Sequence, residues 1–112
     1  MKIPEEGKLL RVFIGESDEQ GGKPLYEAIM LLARKEGLAG CTVLKGCAGF
    51  GAASRIHTAK ILRLSEDLPI VIEIIDAAEK IDRFLPHLDS MVSEGLVTVE
   101  NVKVILYRHN SK

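Results

Sequence analysis

Leu68-Pro69-Ile70-Val71-Ile72-Glu73-Ile74-Ile75-Asp76 is the stretch whose reading decides the fold. From Ile70 to Ile75 every residue but Glu73 is β-branched, the strongest strand signal in the chain. Pro69 can open a strand but cannot sit inside a central ladder, so the strand begins there. Asp76 suits a helix N-cap, and Glu79 three places on completes a capping-box pattern. A helix is predicted from about Ala77 to Ser93, burying Ala78, Ile81, Leu85, Leu88 and Val92. Pro86 removes one helical donor and predicts a kink or break, and Gly95 ends the segment.

Upstream, residues 1–7 are a short polar lead with no hydrophobic signal region. Lys8–Ile14 alternates as a first strand, and Gly15 to Gly22 is a turn. Pro24 fits the first turn of a helix whose stripe is Leu25, Ala28, Ile29, Leu32 and Ala33, with Gly37 as its C′ residue. A second strand is predicted over about Cys41–Ala48. Downstream of Gly95, Val97–Tyr107 reads as the last strand, bulged near Glu100-Asn101, and His109–Lys112 as a tail. The order strand, helix, strand, strand, helix, strand defines an α+β, ferredoxin-like βαββαβ sandwich in a single domain over residues 1–112. Right-handed crossovers place both helices on one sheet face.

Parity then sorts the strands. Leu10, Val12, Ile14, Ile70, Ile72, Ile74, Val102, Val104 and Leu106 are predicted to face the helices. Leu9, Arg11, Phe13, Val71, Glu73, Ile75, Lys103, Ile105 and Tyr107 take the other face, which no third helix covers. A sheet face this apolar predicts self-association. Within it an Arg11–Glu73 ion pair is predicted, with Lys103 nearby.

At 112 residues, 46% apolar and 28% charged, the chain can build a core without metals or disulfide staples. A net charge of −1 argues against broad attraction to nucleic acid or an anionic membrane. No apolar run approaches a membrane span, and the chain reads most simply as cytoplasmic. Cys41 and Cys47 are too far apart along a strand for a disulfide and read as buried reduced thiols.

The chemistry concentrates between Lys45 and Lys60, Lys-Gly-Cys-Ala-Gly-Phe-Gly-Ala-Ala-Ser-Arg-Ile-His-Thr-Ala-Lys, with Ile61–Leu64 as its returning arm. Glycines expose backbone N–H groups, and Arg55, His57 and Lys60 supply cations that can hold an anion such as phosphate. A loop tip with solvated charges is the plainer alternative. Gly46-x-x-Gly49-x-Gly51 lacks a Walker ending and precedes a strand, so it is neither a P-loop nor a Rossmann fingerprint. Phe50 can stack on a base or fill a local pocket. Cys47 with His57 has no acidic orienter for nucleophilic catalysis, and the histidines and cysteines show no metal-ligand spacing. Glu66-Asp67 reads as a solvated turn. No catalytic residue, metal site or required cofactor is assigned.

These residues resemble the PII-like signalling proteins. The resemblance rests on Lys45-Gly46, Gly49-Phe50-Gly51, the long cationic loop and Leu68–Asp76. Glu6-Gly7-Lys8-Leu9-Leu10-Arg11 and Ser54-Arg55-Ile56-His57-Thr58 resemble the uncharacterised bacterial branch of that superfamily, a domain-of-unknown-function family. The resemblance implies a homotrimer with a partner-binding T-loop and an adenine nucleotide (ATP, ADP or AMP) between subunits. It implies that Gly49, Phe50 and Gly51 line the cleft, that Arg55 meets phosphate, and that Arg108 reaches a neighbour's phosphates, with Lys45 as a further ligand. Ser54, Arg55, His57 and Lys60 would face an unknown protein partner.

The sequence departs from nitrogen-regulatory PII proteins at Ser93–Thr98, which has one glycine and no Lys or Arg, and it lacks a modifiable tyrosine in Gly51–Lys60. The expectation is a non-enzymatic signalling trimer for an adenine nucleotide or other small anion. The alternatives are a CutA-like metal or small-molecule binder using Cys47 and His57, a small hydrolase or transferase, and a structural trimer that only docks a protein.

Overall fold

The β-branched run is a strand, and it pairs on both sides. The computed structural model describes residues 6–51 and 67–109. Its elements are β1 (Glu6–Gly15), β2 (Glu19–Gln20), β3 (Lys23–Pro24), α1 (Leu25–Lys35), β4 (Thr42–Lys45), β5 (Pro69–Ala77), α2 (Ala78–Met91) and β6 (Leu96–Lys103). The main sheet runs β4-β5-β1-β6 with every neighbour antiparallel, the ferredoxin-like order. The returning arm expected at Ile61–Leu64 lies outside the described residues.

Parity holds for the two central strands. Leu10, Val12 and Ile14 of β1 and Ile70, Ile72 and Ile74 of β5 are buried against Leu25, Ile29 and Ala33 of α1 and Ile81, Phe84 and Leu88 of α2. Each large side chain so buried stabilises the fold by about 1.5–3 kcal/mol. Phe84 is the α2 core residue that the sequence stripe left out; Ala78, Leu85 and Val92 are half-buried. Helix α2 continues past the exposed Pro86 to Met91.

Helix α1 ends in a Schellman motif. Gly37 takes φ +79°, its N–H donates to the Arg34 carbonyl, and Leu38 N–H donates to Ala33. Before α1, Gly21 and Gly22 have φ of +59° and +82°, the two-residue type I′ turn that joins β2 to β3.

The last strand departs from expectation. Pairing with β1 runs without a bulge from Phe13↔Leu96 to Glu6↔Lys103, and no strand extends from Val104 to Tyr107. Val97 and Val99 therefore share the helix-side face with Val12 and Leu10, while Val102 falls on the opposite face with Gly7. The physical cause lies at Gly95. A Cβ there would sit 2.7 Å from the Phe13 carbonyl oxygen and 3.1 Å from Ile14 Cγ2, so the chain enters β6 tight against β1 and the register starts at Leu96. The valines of Val97–Val99 and Val102–Val104 have opposite parity, and only the first pair was free to face the helices' side.

Asp76 also corrects the sequence reading. Helix α2 carries no side-chain cap, and Asp76 is the penultimate residue of β5. Its buried carboxylate accepts the backbone N–H of Ala39 at 2.9 Å and of Ala77 at 2.6 Å. It braces the α1–β4 connection against the end of the central strand, beside Lys80, whose ammonium donates to the Gly37 carbonyl at 3.3 Å. Asp76→Ala leaves buried donors unpaired, and an expected loss of about 1–3 kcal/mol in urea unfolding follows. Glu79→Ala is expected to lose far less; equal losses would restore the capping box.

Candidate functional site

Strand β4 delivers Lys45 to the edge of the sheet, and the glycines then lay the chain onto Pro69. Gly46 N–H donates to the Pro69 carbonyl at 2.7 Å. A Cβ on Gly46 would lie 2.8 Å from Pro69 Cγ, and one on Gly49, at φ +145°, would lie 3.1 Å from it. The Gly46-x-x-Gly49 spacing is thus explained by close approach to a proline ring. Cys47 is exposed rather than buried, because this segment lies outside the strand; Cys41 is half-buried, and burial pushes its thiol pKa up. Phe50 is 71% exposed and fills no pocket in the single chain.

The turn after β1 joins the two feet of the loop. Glu16 N–H donates to Leu68 O at 2.9 Å, and Lys45 Nζ lies 2.6 Å from Glu16 Oε2. Ser17 N–H donates to Asp67 Oδ1 at 3.0 Å, and Asp18 accepts Gly15 N–H at 2.9 Å. Asp67 is therefore a structural acceptor and not merely solvated. Glu16, Asp67 and Pro69 belong to this foot, and sequence reading did not find them. The cue available was the dense Glu-Ser-Asp-Glu turn at 16–19, read only as a turn.

The candidate ligand residues divide. Lys45, Gly49, Phe50 and Gly51 are together at the foot. Ser54, Arg55, His57 and Lys60 lie outside the described residues. Arg108 is exposed and sits elsewhere: its neighbour Tyr107 donates through its hydroxyl to Ala39 O at 3.5 Å, beside Asp76. Asp76 and Pro69 mark opposite ends of β5, roughly 20 Å apart. Lys45 and Arg108 of one chain are not brought together. His87 lies 3.5 Å from Glu36 on the helix surface, and among the described residues no cluster of His, Cys, Asp and Glu could hold a metal ion.

The helix-free face carries Arg11, as parity required. Its guanidinium donates to Glu73 at 2.8 Å, and that hydrogen bond is the main reason its pKa is raised. Lys103 is not its neighbour: it pairs with Glu6, and Glu100 accepts from Arg11 at 2.8 Å instead. One row along, Leu44, Val71, Phe13 and Leu96 align across all four strands, with Leu44 and Leu96 exposed. No helix among the described residues is long and apolar enough to cross a membrane.

This arrangement is a PII-like fold. Over 93% of this chain and 92% of its own, CPII of Thiomonas intermedia, solved with ADP, AMP and acetate, superposes with a TM-score of 0.64 at 18% identity. A Thermus thermophilus protein described as PII-like superposes with a TM-score of 0.63 at 19% identity, covering 94% of each chain. Residues 7–104 match the DUF190 family, described as an uncharacterized ACR, and the chain belongs to that family. A UPF0166 protein of Aquifex aeolicus is 43% identical over 98 residues, covering 88% of this chain and 92% of the relative. One from Methanocaldococcus jannaschii is 35% identical over 100 residues, with the same coverage.

The glycines of the foot separate into two kinds. Gly46→Ala forces a methyl group into Pro69 and is expected to cost about 1–3 kcal/mol in urea unfolding. Gly51→Ala meets nothing within 4 Å and should stay within about 0.5 kcal/mol.

Proposed function

We propose that this chain is a non-enzymatic PII-like regulator. It binds an adenine nucleotide, or a similar small anion, at the loop foot and presents the loop at 51–60 to a partner protein. The observation that carries this reading is Phe50, 71% exposed between Gly49 and Gly51 and close in sequence to Lys45. A flat apolar ring held in water beside glycines and a cation suits a base with a phosphate attached. CPII, whose fold this chain shares, binds ADP and AMP.

The functional unit in this reading is a homotrimer in the cytoplasm. The apolar row Leu44, Val71, Phe13 and Leu96 on the uncovered face supports burial against other copies. The separation of Lys45 from Arg108 supports a shared site, since a site using both needs two subunits. Arg55 is assigned to phosphate, and Ser54, His57 and Lys60 with it to the partner. This reading invokes no required cofactor, only the adenine nucleotide as ligand.

Calorimetric titration with ATP, ADP, AMP and cyclic dinucleotides tests the ligand. Micromolar binding of one adenine nucleotide is expected, weakened about tenfold or more by Arg55→Ala through loss of a charged hydrogen bond. No heat from any of them would sink the nucleotide assignment. Arg11→Glu places a third acid beside Glu73 and Glu100, and sedimentation is expected to show a shift from trimer toward monomer. An unchanged trimer would place the contact elsewhere.

A further inference from the structure

Lys45 immediately precedes the glycine segment, yet its ammonium is already engaged. Glu16 holds it at 2.6 Å, while the Glu16 backbone is fixed to Leu68 at 2.9 Å. The neighbouring acids are otherwise occupied: Asp18 accepts Gly15 N–H and Asp67 accepts Ser17 N–H. Glu16 is thus the carboxylate of this turn that spends its charge on the foot's cation. The side chains of Lys45 and Glu16 are 52% and 31% exposed, so the pair is screened by water and can exchange. An anion arriving at the foot meets a carboxylate that both occupies the cation it needs and repels it. That repulsion grows with the charge on the anion.

We propose that Glu16 is the ligand's internal competitor for Lys45 and so sets which anions the foot accepts. The inference rests on the reading above that an anion binds here. Binding exchanges the Lys45–Glu16 pair for a Lys45–ligand pair. The released carboxylate stays close, because its backbone remains fastened to Leu68. Glu16 therefore penalises di- and triphosphates more than a monophosphate. It is a specificity residue acting through Lys45.

The test is titration of inorganic pyrophosphate, ATP and AMP into the full chain and into Glu16→Gln, Lys45→Met and the double variant. Gln keeps the backbone bond to Leu68 and removes only the charge. Glu16→Gln is expected to tighten pyrophosphate and ATP about two- to fivefold, the range of a half-exposed ion pair, and AMP less. In the Lys45→Met background that gain shrinks, because only the direct repulsion by Glu16 is left to remove. Glu16→Asp, which withdraws the carboxylate and keeps its charge, should give an intermediate gain and serves if the Gln variant folds poorly. Ligands that bind without tightening in either Glu16 variant, or that tighten equally with and without Lys45, overturn the proposal and leave nucleotide binding standing. Pyrophosphate that binds and tightens while ATP and AMP do not bind retains the competitor and removes the adenine reading. No binding of any probe to any variant overturns both.

Discussion

Period-2 alternation in β5 is the constraint on which the rest depends. Ile70, Ile72 and Ile74 must lie under the helices, because nothing else in the chain offers as much β-branched surface for α1 and α2 to cover. Val71, Glu73 and Ile75 are then forced to the other face. Antiparallel pairing carries the same division into β1, so Arg11 arrives opposite Glu73 without any freedom to be elsewhere. A one-residue slip would bury Glu73 beneath the helices and expose three isoleucines. The ion pair is accordingly a consequence of the core, and a marker of register more than a source of stability.

How far this was legible in sequence depends on whether the deciding contact was local. The strands around β1 and β5 announce themselves through alternation, and α1 through its stripe, Pro24 and Gly37. The Arg11–Glu73 pair followed because parity and strand order together fix it. The same logic failed at β6, where two valine pairs of opposite parity compete and the choice is made by Gly95 pressing on Phe13, a long-range contact with no sequence signature. Asp76 has the spelling of an N-cap, but its partners Ala39 and Ala77 turn it into a strand-end brace. Phe84 was lost because the stripe could be drawn through Leu85 just as regularly.

At the candidate site the glycine pattern was visible while its cause was not. Gly46 and Gly49 look like a phosphate cradle, yet both lie against a proline twenty or more positions further along the chain. Sequence distance hides such a contact completely. The same holds for Glu16, which reads as one polar residue among several in a turn and becomes the partner of Lys45 only once the sheet brings the end of β1 beside the start of β5.

The position of the foot also limits what it can do alone. Its described part offers one exposed aromatic ring, one cation already paired, and carboxylates on the adjoining turn. A polyphosphate would gain little there from charge, so affinity has to come from stacking on Phe50 and from cations brought by the loop or by another chain. In the proposed reading Arg108, which follows the last strand near the opposite end of β5, would meet that need only across an interface. In the proposed trimer, assembly through the uncovered face and anion binding at the foot would be coupled by geometry, since each would supply contacts that the other lacks.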